Sequence, residues 1–290
     1  DEGRTHVLPH EVLDGKLRQV DWSFPPDLFD AAGSAWTSIH DMTLWAQFLL
    51  DDGVTQDGKR LISAEGMASM FEPHQLASPE DFYPTVELTQ PHWRSYALGW
   101  FQQDFQGRAI DFHTGSLTGL IAIIGLDRAA DRAVIVLGNR DHAEMRHALL
   151  WEVMDETPVD RRRDWNGDIH ELYAALDDAA REDWEETRAG RMTGTGTRLP
   201  LRAYEGVYRH DINGDLEVTL VDGQLFVRAP RLDVPLTHWH FDTFLAKDED
   251  WQYGSLAVFN FDAQGDVKSI SLFGDDYERQ EEAADQADGE

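Results

Sequence analysis

Along this chain the spacing of apolar residues shifts from helical to strand-like, back to helical, and then to strand-like again. Residues 1 to about 36 are rich in Pro, Gly and Asp with no sustained period, which predicts surface loops. Order starts at Ser38-Ile39-His40-Asp41, where a serine stands three residues before an acid, and Met42, Trp45, Phe48 and Leu49 follow at helical spacing until Gly53. That arrangement predicts a capped amphipathic helix. Ser63-Ala64-Glu65 opens a shorter helix through Met67 and Met70 to Phe71, stopped by Pro73. After a loop of Pro, His and acids to about Ser95 the period falls to two. Tyr96 to Phe105, a turn at Gln106-Gly107, Arg108 to His113, and the apolar runs Leu120 to Leu126 and Ala133 to Gly138 all read as strands. Turns this short imply antiparallel pairing. Met145, Leu149, Val153 and Met154 then share one face of a helix, and a charged helix is predicted from about Asp168 to Arg188.

Gly190 to Pro200, with Thr193-Gly194-Thr195-Gly196-Thr197, reads as a flexible linker. Short alternating runs follow at Tyr204 to Arg209, Leu216 to Val221, Gln224 to Ala229, Val234 to His240, Phe244 to Lys247, Ser255 to Phe261 and Val267 to Phe273. They are broken by Asn213-Gly214, Asp222-Gly223 and Gln264-Gly265, so a meander curling into a small barrel is predicted. The last 16 residues, from Asp275, are mostly acidic and predict a disordered tail. The fold class is α+β, an antiparallel sheet flanked by helices followed by a small all-β barrel. The boundaries fall at 1–160 for the sheet domain, 161–200 for the charged helix and linker, 201–274 for the barrel and 275–290 for the tail.

Candidate chemistry sits at His113-Thr114-Gly115-Ser116, between the strand-like Ala109-Ile110-Asp111-Phe112 and the apolar run from Leu120. On its own, His-Thr-Gly at the end of an apolar strand reads more often as a turn than as a catalytic wall. Its flanks change that. Ala31-Ala32-Gly33-Ser34 leads into Thr37-Ser38-Ile39-His40-Asp41-Met42, Tyr96-Ala97-Leu98-Gly99-Trp100 precedes the motif, Leu117-Thr118-Gly119-Leu120 follows it, and Val134-Ile135-Val136-Leu137-Gly138-Asn139 comes after that. In order and spacing these resemble the penicillin-recognising serine hydrolases, the superfamily of class C β-lactamases, D-aminopeptidases and penicillin-binding proteins. In that family a Lys or His heads a Thr-Gly or Gly-Gly pair as the third active-site motif. The C-terminal part, opening with Tyr204-Glu205-Gly206-Val207-Tyr208, resembles the lipocalin-like module often appended to these hydrolases.

The resemblance implies a partial β-lactamase-like fold followed by a lipocalin-like barrel, and acyl-enzyme cleavage of a small peptide, amide or ester substrate without a cofactor. It makes His113 a catalytic group that positions a substrate carboxylate or relays a proton, carrying a partial charge near neutral pH. Ser116 would supply one backbone N–H of the oxyanion hole. Thr114 would hydrogen-bond the substrate carboxylate, and Gly115 would allow close backbone approach. Two family motifs are missing: no serine has Lys three residues on, and no Tyr-x-Asn occurs. The chain therefore reads as the C-terminal portion of such a hydrolase, inert alone, with the nucleophile supplied by an N-terminal segment. That segment would also complete the sheet, so the chain is expected to associate with it or with itself. The resemblance also implies an extracytoplasmic location. The alternative is a non-catalytic remnant acting as a ligand- or protein-binding module.

Other constellations carry less. Asp211, Asn213 and Asp215 begin like a calcium loop, but Leu216 stands where Gly is needed, and a hairpin turn accounts for Asn213-Gly214. His238 and His240 share a strand face without further ligands, and Asp141, His142 and His147 read as cap and exposed positions of a helix. No G-x-S-x-G elbow anchors a Ser-His-Asp triad. The barrel's aromatic residues could line a ligand cavity or fill it. With 55 acidic against 25 basic residues the formal net charge is -30, which argues against nucleic acid and anionic membranes as partners. No apolar run approaches the ~18 residues of a membrane helix, and the acidic start Asp1-Glu2-Gly3-Arg4 is no signal peptide. The absence of cysteine removes disulfides and thiolate sites. Only Lys16, Lys59, Lys247 and Lys268 are lysines, and an acidic, lysine-poor surface suits high salt, where self-repulsion is screened. The melting temperature is accordingly expected to rise from low to molar salt, and a flat calorimetric series would refute salt adaptation.

Overall fold

The computed structural model describes residues 6–13, 15–20, 33, 35–78, 80–117, 119–230, 232–248, 251 and 253–280. The chain divides into two units, Asp1–Ala179 and Ala180–Glu290. The division falls inside the helix Trp165–Ala189.

In the first unit, β1 (His10–Leu13) and β2 (Lys16–Gln19) form a separate hairpin. Helix α1 (Ile39–Leu50) starts as its sequence predicts, the Ser38 hydroxyl accepting from the Asp41 N–H at 3.2 Å and donating to Asp41 Oδ2 at 2.8 Å. Helix α2 (Ala64–Met70) is capped by Ser63 in the same way, and α3 (Val86–Thr89) is a single turn. Strands β3 (Gln75–Leu76), β4 (Arg94–Tyr96), β5 (Phe101–Phe105), β6 (Arg108–Leu117), β7 (Leu120–Asp127) and β8 (Arg132–Gly138) lie side by side in chain order. All their pairings are antiparallel. Helices α4 (Met145–Met154) and α5 (Trp165–Ala189) follow. Alternation in the strands feeds two cores, one built on Ile110, Phe112, Ile123, Trp151 and Trp165, the other on Leu49, Met67, Phe71, Trp100 and Leu126.

Two strands differ from expectation. The run Tyr96 to Phe105 is broken, because Gly99 takes φ 81° and the Ala97 N–H bonds to Trp100 O, folding β4 back on β5. The strand expected to stop at His113 continues to Leu117, because β7 pairs with it along that whole length.

The second unit is a closed antiparallel barrel. Its strands are β9 (Gly206–His210), β10 (Gly214–Val221), β11 (Gln224–Ala229), β12 (Leu232–His240), β13 (Thr243–Ala246), β14 (Ser255–Phe261), β15 (Val267–Leu272) and β16 (Asp275–Arg279). Inward positions pack Tyr204, Tyr208, Val227, Phe244, Phe259 and Ile270 into a buried cluster, so side chains fill the interior.

The tail expected to be disordered from Asp275 instead supplies the strand that closes the barrel, Glu278 pairing with Arg209 and Arg279 with Tyr208. Its acids alternate with the buried Tyr277, and Asp276 accepts a hydrogen bond from Ser271, so net charge concealed a strand pattern. Residues 281–290 of that tail lie outside the described residues. The expected linker is likewise packed. Arg191 donates to Trp239 O at 2.9 Å and His238 O at 3.0 Å, and the Arg198 N–H donates to Asp242 Oδ1 at 2.8 Å.

Asp155, just after α4, ties the first unit together. It accepts from Gln106 Nε2 at 2.7 Å, the Thr157 N–H at 2.8 Å and Trp165 Nε1 at 2.9 Å. Burial alone would raise its pKa, but the bonds from Thr157, Trp165 and Gln106 outweigh it and hold the carboxyl at about 2. A folded value below the unfolded one stabilises the fold above about pH 4, and that stability is lost as pH falls towards 2. Asp155→Asn is expected to cost on the order of 2 kcal/mol at pH 7 and little at pH 2, read from urea unfolding.

Candidate active site on strand β6

Strand β5 pairs with β6 only as far as Phe101 opposite Phe112. Beyond that point, His113 to Leu117 keep β7 on one side, with His113 opposite Ile124, Gly115 opposite Ala122 and Ser116 opposite Ile121. Among the described residues their other edge has no strand partner in this sheet. Backbone polar groups of successive residues alternate between the two edges of a strand. The Tyr83 hydroxyl donates to Thr114 O at 2.9 Å, which marks Thr114 as facing the open edge. Ser116, two residues on, points its N–H the same way. This is the donor the resemblance assigns to it.

Side chains alternate between the two faces of the sheet, so the four motif residues separate. His113 lies on the α1 face, its Nε2 3.2 Å from Tyr96 Oη and its ring 5.5 Å from that of Phe101. Burial pushes its pKa down, with a hydrogen bond donated by the ring to the Thr114 backbone opposing this only in part. Its lowered pKa disfavours the charged form, and its contact with Tyr96 gives the imidazole a polar partner. Thr114 is buried on the opposite face and its hydroxyl donates to Ala122 O at 2.7 Å. That proton is therefore committed inside the sheet, contrary to its expected use on a substrate carboxylate. Gly115 is exposed, and a Cβ there would meet nothing within 4 Å, leaving open space for close approach. The Ser116 hydroxyl is bonded at 3.0 Å to Arg146 Nη1 on the face away from His113, so it makes no pair with the imidazole.

The motif's supports come from outside it. Arg146, in the first turn of α4 and 6% exposed, also donates from Nη1 to Gly115 O at 2.7 Å. Its Nη2 lies 3.4 Å from Glu144 Oε2. Burial would raise the Glu144 pKa, but His142, Arg146 and His147 around it prevail and keep the carboxylate ionised. Sequence reasoning missed Arg146, Glu144 and Tyr83. The available signal was a cation in the first turn of a helix, where the macrodipole disfavours it unless something else holds it.

His147, expected on an exposed face, is fully buried. Tyr173 stacks on its ring at 5.7 Å, Tyr83 lies at 5.4 Å, and Glu144 Oε2 is 3.5 Å from Nε2. Asp141 does not cap α4, whose N-cap is Glu144, and its carboxylate takes the His142 N–H instead. His238 Nε2 bonds to Phe241 O and His240 Nδ1 accepts from the Met192 N–H, both structural roles. Asp215 pairs with Arg209, and Asn213-Gly214 forms the expected turn with Gly214 at φ 79°. Among the described residues no group of three or more His, Asp or Glu side chains is arranged to hold a metal. Of the Ala31-Ala32-Gly33-Ser34 segment only Gly33 is described, near Leu117 at the end of β6, and Thr118 also lies outside the described residues.

Comparison with known proteins gives matches in both units. A family described as a domain of unknown function, DUF3471, matches residues 190–287. The unguisins hydrolase ungD of Aspergillus violaceofuscus is 25% identical over 229 residues, 73% of this chain and 39% of the relative. Unguisins hydrolase ungD' of Aspergillus campestris is 25% identical over 210 residues, 70% of this chain and 37% of the relative. The chain thus spans about two fifths of the length of these curated relatives. Among solved structures, an octameric penicillin-binding protein homologue from Pyrococcus abyssi matches at 14% identity and a TM-score of 0.40, covering 95% of this chain and 53% of that one. The C-terminal domain of a penicillin-binding protein matches at 31% identity and a TM-score of 0.25, covering 29% of this chain and 88% of the other.

Burial holds His147 at about pH 4, against an ordinary 6.5, despite Glu144 beside it. Between these values the unfolded chain binds more protons, so this contribution is complete above about pH 6.5 and is lost as pH falls to 4. Its full size is on the order of 3 kcal/mol. The His147 ring proton resonances are expected to stay fixed from pH 7.5 to 5 by NMR, and His147→Gln should flatten the stability profile there. A folded midpoint near 6.5 would refute the burial account.

Proposed function

We propose that this chain, which belongs to the penicillin-recognising serine-hydrolase-like family, forms one wall of an acyl-transfer site that cleaves an amide, peptide or ester bond. The observation that carries this reading is the open edge of β6, which directs the Ser116 N–H outward beside His113 and its partner Tyr96. When a serine attacks a carbonyl carbon, negative charge gathers on the carbonyl oxygen, and a fixed N–H stabilises it. His113, kept neutral by burial, passes a proton through Tyr96 to or from the leaving group. The serine, its activating lysine and the second oxyanion donor belong to an N-terminal segment of the longer polypeptide, which this reading also makes the missing sheet partner. Among the described residues β8 pairs with β7 alone, and its other edge would accept a strand from that segment or, in its absence, from a second copy. An extracytoplasmic location goes with this reading. The filled interior of the barrel gives no support to a ligand inside it.

The test joins the chain to the coding segment upstream of it and treats both forms with a serine-directed phosphonate. The longer polypeptide is expected to be labelled on a Ser-x-x-Lys serine, and the 290-residue chain to remain unlabelled. In the longer form His113→Ala should lower kcat by about 10²- to 10³-fold. Labelling of Ser116 in the chain alone, or none in the longer form, overturns the proposal.

A further inference from the structure

We propose that Arg146 is a positioning residue that aims and polarises the Ser116 N–H through the Gly115–Ser116 peptide; the catalytic value of this rests on the oxyanion role proposed above. A peptide unit is rigid and planar, with its C=O and N–H pointing in opposite directions. Gly115 O and Ser116 N–H belong to the same unit. Arg146 Nη1 grips that oxygen at 2.7 Å from the α4 side, which leaves the N–H pointing out at the open edge of β6. The same Nη1 bonds to Ser116 Oγ at 3.0 Å, so the next residue is tethered as well. The preceding unit is fixed independently, its Thr114 oxygen accepting from Tyr83. Gly115 is also paired with Ala122 of β7, so Arg146 adds to that ladder on a peptide whose other side has no β5 partner. A guanidinium on the carbonyl also draws electron density through the amide and makes the opposite N–H a stronger donor.

The charge is held there at some cost, because Arg146 is nearly buried, with a side chain 7% exposed. Glu144 stands 3.4 Å from Nη2 and 3.5 Å from His147 Nε2, compensating the cation from the side away from the peptide. A cation in the first turn of a helix works against the helix dipole, and its two bonds to Gly115 and Ser116 give it a reason to be there.

The test uses the chain itself, labelled with 15N. In Arg146→Met the Ser116 amide proton is expected to move upfield, while the amides of Leu150 and Trp151 in α4 stay put. Arg146→Lys, which keeps the charge but offers one donor point instead of a fork, should restore part of the shift. An unchanged Ser116 amide in a folded Arg146→Met protein overturns the proposal. Should that variant unfold, an unchanged Ser116 amide in Arg146→Lys overturns it equally. In the longer polypeptide Arg146→Met is expected to lower kcat by about 10- to 100-fold with KM unchanged, and Arg146→Lys to recover part of it. A rise in KM alone overturns the catalytic consequence. If the unsubstituted longer polypeptide hydrolyses nothing, the proposed function fails, and the amide measurement still decides how the donor is aimed.

Discussion

Strand β6 outruns its neighbour, and the candidate site depends on that mismatch. Gly99 folds β4 onto β5 early enough that pairing ends at Phe112, while β7 holds β6 out to Leu117. A ladder on one side keeps the strand straight, and the missing ladder on the other exposes backbone donors in a fixed row. Had β5 run as far as the sequence pattern suggests, the Ser116 N–H would be spent inside the sheet. The site is thus made by stopping a strand, and the Tyr83 hydroxyl at Thr114 O replaces a bond that strand would have supplied.

The replacements are polar groups at or near burial, and each solves a problem of charge. Tyr83 satisfies the Thr114 carbonyl with a hydroxyl whose own ionisation burial pushes up to about 12, so it stays a donor. Arg146 satisfies the Gly115 carbonyl but brings a charge, and Glu144 compensates it. Asp155 uses the opposite economy, staying charged through three neutral donors without any cation in contact. Buried polar groups of this kind cost more when half-satisfied than when absent, so they specify one geometry where an apolar core would tolerate several.

Much of this was legible in the sequence. The caps at Ser38 and Ser63, the hairpin at Gln106-Gly107 and the meander of the barrel follow from period and turn chemistry, and the structure has them. The errors share one physical origin, which is that local signals do not report long-range partners. The acids of Asp275 to Glu278 looked like a solvated tail because their alternation with Tyr277 matters only once β9 lies beside them. The Thr-Gly run looked flexible because its partner, the Phe241 N–H that donates to Thr195, comes from far along the chain, as do the His238 and Trp239 carbonyls that hold Arg191 just before it. His147 looked exposed because Tyr83 and Tyr173, which cover it, lie on other elements. The motif itself was visible, but its division between two faces of the sheet was not, because adjacency in sequence is opposition in a strand.

Among the described residues, the edge gap on β6 and the outer edge of β8 differ in length and chemistry. On β6 the gap runs only from His113 to Leu117, is flanked by Tyr83 and Tyr96, and has its donors already oriented by side-chain bonds. A gap that short, with polar groups converging on it, suits a reacting carbonyl better than another strand. On β8 the free edge runs the full seven residues from Arg132 to Gly138, through Ala133-Val134-Ile135-Val136-Leu137, with no proline and no charge after Arg132. Natural sheets blunt edges of that kind with lysine, proline or a bulge, and none of these is present here. In the proposed function the short polar gap takes the reacting carbonyl and the long apolar edge takes a strand.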